Sequence, residues 1–114
     1  GMYEPMHPAI LRLLDMIFKQ AKAKNKPVSV CGEIAGETLY APLLLGLGAH
    51  ALSASAALLP EVKYFVRHMR MDAMEKVAKE IVTQPTAQAT RAMLKKALFS
   101  QLTDLENHPD DVVR

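Results

Sequence analysis

Residues 27–48 read PVSVCGEIAGETLYAPLLLGLG. Val28, Ser29, Val30 and Cys31 have strand chemistry, with β-branched residues alternating with small polar ones. The alternation sets Val28 and Val30 on one side, Ser29 and Cys31 on the other. Gly32, Glu33, Ile34, Ala35 and Gly36 follow as a loop. A helix is expected over Leu39–Leu47, with Pro42 in its first turn and Gly46 and Gly48 closing it. A second strand is expected at about Ala51–Ser55, where Leu52 and Ala54 face one way and Ser53 and Ser55 the other. Strand, helix, strand over about 25 residues is a βαβ crossover, so the strands should be parallel and the crossover right-handed. An α/β barrel builds its active site by delivering side chains to the C-terminal ends of such strands. In that setting the valines pack on the outer helices. Ser29 and Cys31 point inward, with Cys31 at the mouth.

The flanking segments fit the same plan. Residues 1–7 are a lead-in that Pro5 and Pro8 keep extended, and Gly1 before Met2 reads as an expression remnant. Ile10, Leu13, Leu14, Ile17, Phe18 and Ala21 recur at helical spacing, predicting a helix over Pro8–Lys24 with this set as its apolar face. Lys19, Lys22 and Lys24 face water. Asn25 suits a left-handed stop, and Pro27 bars continuation. Downstream, a helix is expected over about Leu59–Met69, with Val62, Phe65, Val66 and Met69 inward. Asp72 and Glu75 are spaced like a capping box ahead of Met74, Val77, Ala78 and Ile81. Pro85 breaks the run. Thr86 can cap a last helix carrying Met93, Leu94, Ala97, Leu98 and Leu102. Residues 105–114 read as a flexible tail.

The fold class is therefore α/β: a partial TIM barrel, its last two parallel βα units plus C-terminal helices, over residues 8–104. A complete barrel needs about 250 residues, and this chain has 114. Two strands leave two open edges, which predicts self-association into a homo-oligomer. The Leu39–Leu47 helix is apolar nearly all round, which predicts that more protein or another subunit covers it.

Composition narrows the function. Half the residues are apolar and net charge is +2, too little to argue for nucleic acid. No apolar run approaches the roughly 20 residues that span a bilayer. One cysteine excludes an internal disulfide, and with no leader-like N-terminus a cytoplasmic location is expected. His7, His50, His68 and His108 are too scattered for a metal site. From its own chemistry, Cys31 is either a small buried apolar residue, the usual fate of a free cysteine, or a reactive group at a strand end.

HPAILRLL at His7–Leu14, PVSVCGEIAG at Pro27–Gly36, PLLLGLG at Pro42–Gly48, SASA at Ser53–Ala56 and LPEVKYFVR at Leu59–Arg67 together resemble the C-terminal end of phosphoenolpyruvate–protein phosphotransferase, enzyme I of the sugar phosphotransferase system. The stretches around Lys26–Cys31 and Leu59–Arg67 look closest to its nitrogen-regulatory branch. The resemblance covers about residues 3–102 and includes QPT at Gln84–Thr86. It implies a barrel that binds phosphoenolpyruvate and magnesium and dimerises. The phosphoryl group goes to a protein histidine, and a phosphocarrier protein is the implied partner. By motif, Cys31 is implied as the proton donor to the pyruvate enolate, with Gly32, Glu33 and Gly36 in the site loop.

The departures matter too. The family's magnesium ligands and substrate-holding arginines come from earlier strands, and its asparagine–aspartate pair would end just before Met2. No histidine here follows the family's Gly-Gly-x-x-Ser pattern. No cofactor is therefore assigned to this segment, which alone should not turn over phosphoenolpyruvate. The alternatives are a stand-alone interaction or dimerisation module, docking on full-length enzyme I through the Leu39–Leu47 helix and the strand edges, and a piece of a pyruvate-phosphate dikinase or phosphoenolpyruvate synthase.

Overall fold

The computed structural model describes residues 4–30 and 39–107. In chain order the elements are α1 (Pro8–Ala23), β1 (Ser29–Val30), α2 (Tyr40–Leu47), β2 (Ala51–Leu52), α3 (Leu59–Arg67), α4 (Met71–Ile81) and α5 (Ala87–Asn107). The strands β1 and β2 are parallel, pairing Ser29 with Ala51 and Val30 with Leu52. The βαβ crossover is thus present. Among the described residues the ladder pairs two positions of each strand, where Val28–Cys31 and Ala51–Ser55 were expected, and Cys31 lies outside the described residues.

Local chemistry sets the helix ends. Pro8 opens α1, where its missing N–H costs nothing, and His7 caps it, Nδ1 accepting from the Ala9 N–H at 3.1 Å. At the other end Asn25 adopts φ 54°. That left-handed residue lets the Lys26 N–H return to the Ala21 carbonyl at 2.8 Å, satisfying one of the helix's orphan acceptors. Thr86 caps α5 as expected: its Oγ1 accepts from the Ala89 N–H at 3.0 Å.

Other sequence expectations need correction. Within the lead-in, residues 4–7 form a turn rather than an extended arm, with the His7 N–H bonded to the Glu4 carbonyl at 3.1 Å and Met6 fully buried. Asp72 and Glu75 form no capping box. Arg70 is the N-cap of α4, without a side-chain cap, and Asp72 lies inside the first turn, bonded to Arg70 and to the Ala73 N–H. Those partners, Arg70 foremost, hold the Asp72 carboxyl below its ordinary range. Gly46 lies within α2, and Gly48 alone ends it, at φ 126°.

The core centres on α2. Six of its eight residues are buried, and α4 is its main neighbour. Leu43, Leu44 and Leu47 of α2 share a cluster with Leu11 and Phe18 of α1, Met74, Ala78 and Ile81 of α4, and Leu94 and Leu98 of α5. The apolar helix is thus covered by its own chain, not by an added subunit. The physical reason lies downstream: α4 and α5 supply an apolar face each, which an all-apolar α2 needs on two sides. Arg12 locks the arrangement, donating from Nε to the Val82 carbonyl at 2.9 Å and from Nη2 to the Gln84 carbonyl at 3.3 Å. It thereby ties α1 to the carbonyls of the turn that follows α4.

The α1 face is rotated from expectation. Leu11 and Phe18 point inward, while Leu13 and Ile17 are 55% and 45% exposed. Periodicity alone could not choose between two overlapping apolar stripes.

Candidate active site

The site expected from sequence lies at the C-terminal ends of β1 and β2. At their N-terminal ends, the His50 N–H donates to the Val28 carbonyl at 2.9 Å, and His50 Nδ1 accepts from the Val28 N–H at 3.2 Å. At their C-terminal ends, the Ser53 N–H donates to the Val30 carbonyl at 3.0 Å. Paired backbone holds both strands through this point, as buried backbone groups demand.

The two faces of this sheet differ. Val28, Val30 and Leu52 pack against the core cluster. Ser29, Ala51, Ser53 and Ser55 are exposed, and burial alternates from Ala51 to Ser55. The expected alternation is therefore present. Helices close the apolar face, while the serine face stands open. Parallel sheets are ordinarily buried on both sides, so the open face is the unusual feature here.

Cys31, Gly32, Glu33 and Gly36 lie outside the described residues. Their neighbours in the chain do not. Before them, β1 ends at Val30. After them, Tyr40 opens α2, fully buried, with its hydroxyl donating to the Pro5 carbonyl at 2.6 Å. The lead-in is held in turn from α5: Arg91 Nη2 meets Glu4 Oε1 at 2.7 Å. The Met6 N–H, which donates to the same Glu4 oxygen at 3.0 Å, and the Arg91 guanidinium hold this carboxyl below its ordinary range. Both ends of the Cys31 segment are thus fixed to well-packed structure.

Sequence reasoning missed three of these groups. His50 passed as one scattered histidine, yet it closes the ladder's start. Tyr40 carried no motif. Glu4 and Arg91 are 87 positions apart, and no periodic signal joins them. Among the described residues, no three His, Cys, Asp or Glu side chains come together as a metal site would need. No helix there is long and apolar enough to cross a membrane.

Comparison with known proteins gives this geometry its context. Residues 1–71 match the family model described as PEP-utilising enzyme, PEP-binding domain. The chain belongs to the PEP-utilising enzyme family. Multiphosphoryl transfer protein 1 of Escherichia coli K12 is 39% identical over 93 residues, 82% of this chain and 11% of that protein. Phosphoenolpyruvate-protein phosphotransferase of Listeria monocytogenes is 33% identical over 95 residues, covering 83% and 17%. The protein of the same name from Haemophilus influenzae is 31% identical over 98 residues, covering 86% and 17%. The chain thus spans between 11% and 17% of the length of these relatives. Within the family match fall α1, both strands, α2 and α3. The helices α4 and α5, which bury α2, lie beyond it, apart from Met71, the first residue of α4.

Proposed function

We propose that this chain is the C-terminal part of the phosphoenolpyruvate-binding barrel of a phosphoenolpyruvate–protein phosphotransferase, with Cys31 as the proton donor of the reaction. The observation that supports this best is the one-sided parallel ladder. Its polar face is open, and the chain passes directly from the end of β1 into Cys31, Gly32 and Glu33. The names of the relatives favour this branch over a dikinase or synthase.

The chemistry is a transfer followed by a protonation. A histidine nitrogen of a protein acceptor attacks phosphorus, the bridging P–O bond breaks, and its electron pair stays on the enolate oxygen of pyruvate. The enolate carbon then takes one proton to give pyruvate. A thiol with an ordinary pKa of about 8.5 is mostly protonated at neutral pH and can give that proton. The thiolate left behind regains its proton from water before the next turnover. Gly32, Glu33 and Gly36 belong to the site loop in the same proposal. The residues described here do not form a magnesium site, and no step is assigned to the metal. The phosphocarrier protein and a homo-oligomeric barrel in a cytoplasmic enzyme belong to the same proposal.

The interaction-module alternative is weakened by one finding. Its expected contact surface was the Leu39–Leu47 helix together with the strand edges, and α2 is already buried within this chain.

The test is a chimera in which this chain replaces the matched C-terminal segment of the Haemophilus influenzae protein. It should release pyruvate from phosphoenolpyruvate, and Cys31→Ala should lower the rate by about 100-fold or more, the scale of a lost general acid. A folded chimera whose rate is unchanged by Cys31→Ala would remove the proposed role.

A further inference from the structure

The parallel ladder begins on a side chain. Val28 stands immediately before β1, and its N–H donates to His50 Nδ1 at 3.2 Å. No other acceptor meets that N–H among the described residues. The return bond is backbone to backbone, from the His50 N–H to the Val28 carbonyl at 2.9 Å. The two residues therefore exchange a pair of bonds, and only one of the pair involves a group that can gain a proton. The accepting bond also fixes the ring. A nitrogen that accepts must keep its lone pair, so the neutral imidazole carries its proton on Nε2. In the protonated ring both nitrogens are donors. Nδ1–H would then face the Val28 N–H donor to donor, and the bond is lost.

We propose that His50 is a pH-sensitive latch on the entry to β1: neutral, it holds the Val28 N–H; protonated, it releases it. Acidification thus frees the backbone at the head of the strand that runs on into Cys31. The surroundings leave histidine as the group that switches. His50 is exposed, so its ring meets solvent protons directly. It shares a cleft of about 520 Å³ with Asp15, Lys19 and Lys22 of α1 and with Glu75 and Lys79 of α4. Lys19 already engages Asp15 at 2.8 Å. Of these side-chain types, only histidine ordinarily changes charge between pH 5 and 8. The release is local. The Val28 side chain packs against the core cluster, which keeps the residue seated. Further along, the Ser53 N–H bonds the Val30 carbonyl at 3.0 Å, with no titrating partner. The latch rests on this hydrogen-bond geometry alone and does not depend on the role given to Cys31.

Amide hydrogen exchange of the ¹⁵N-labelled chain, read by NMR at pH 7.5 and pH 5.5, tests the latch. Each rate is divided by that of an unstructured amide at the same pH. Protection of the Val28 amide should fall by about threefold or more at pH 5.5, the scale of one lost hydrogen bond. The His50 and Ser53 amides should keep theirs, because their acceptors are backbone carbonyls. In His50→Asn the side-chain oxygen can accept in place of Nδ1 and gains no proton in this range. Val28 should then be protected equally at both pH values. Equal protection of Val28 in the parent overturns the proposal, and so does a fall of the same size in His50→Asn. A joint loss at Val28, His50 and Ser53 overturns it as well, because acid then opens the sheet and not the latch. The ring nitrogens of the parent give a second reading that needs no variant. Their ¹⁵N shifts at pH 7.5 should place the proton on Nε2, and a proton on Nδ1 sinks the idea.

Discussion

Gly46→Ala is the substitution that probes the core most directly. Gly46 lies in α2 against α4, and a Cβ built there would stand 2.7 Å from the Met74 carbonyl oxygen, 2.9 Å from its carbon and 3.2 Å from Met74 Cβ. Ordinary contact begins at 3.4 Å, so the two helices must part by about 0.7 Å (3.4 − 2.7). A gap of 0.5–1 Å forfeits roughly a quarter to a half of the dispersion energy between facing atoms. Overpacking of this kind costs about 1–3 kcal/mol. Alanine returns at most about 1 kcal/mol through helix propensity, and less near a helix end. The expected net loss is about 1–2 kcal/mol, or a fall in Tm of roughly 5–10 °C for a domain of this size. Urea unfolding followed by far-UV circular dichroism measures it. Two of the three nearest atoms belong to the backbone, so Met74→Ala should not rescue the variant. If Gly46→Ala matches or exceeds the parent's stability at an unchanged m value, α2 and α4 are not in the close contact described.

Two further predictions follow from the lead-in. Tyr40→Phe removes a hydroxyl that donates to the Pro5 carbonyl at 2.6 Å and strands that acceptor in a partly buried site. It should cost about 1–2 kcal/mol, and thermal unfolding at neutral pH that shows no change would dismiss the clamp. The Glu4 carboxyl is held below its ordinary range by the Met6 N–H and Arg91, so the folded state binds fewer protons than the unfolded one. Its stabilisation is present above the ordinary glutamate range and is lost as pH falls through the lowered value. The pair is partly exposed, so its contribution stays below about 1 kcal/mol. Arg91→Gln should flatten the acid limb of a stability–pH curve, and a limb unchanged from the parent would count against the pairing.

What the sequence disclosed and what it hid divide along physical lines. Local signals were readable. Pro8, Asn25 and Thr86 each act through the few residues beside them, and all three stand where their chemistry requires. The parallel ladder was readable because the spacing of two strands around one helix leaves little else. The face of α4 was equally plain, with Met74, Ala78 and Ile81 buried. The capping box failed because the Asp72–Glu75 spacing is also satisfied two residues past the N-cap, within the first turn. There Arg70 draws Asp72 into an ion pair. The cover over α2 was hidden because an all-apolar helix states that it is buried and not by what. The tie between Glu4 and Arg91 has no periodic trace at all.

The same division explains why the candidate site was named more easily than its supports. Cys31 sits within a contiguous motif, so sequence alone could single it out. What holds the ends of its segment comes from distant places. His50 closes the ladder below β1, Tyr40 reaches Pro5 across 35 positions, and Arg91 secures Glu4 from α5. A catalytic side chain depends on such supports for its placement, because an error of about 1 Å can cost as much as 100-fold in rate. The terminal helices therefore matter to the proposed chemistry as well as to the core: α4 and α5 bury α2, and α2 begins where the Cys31 segment ends.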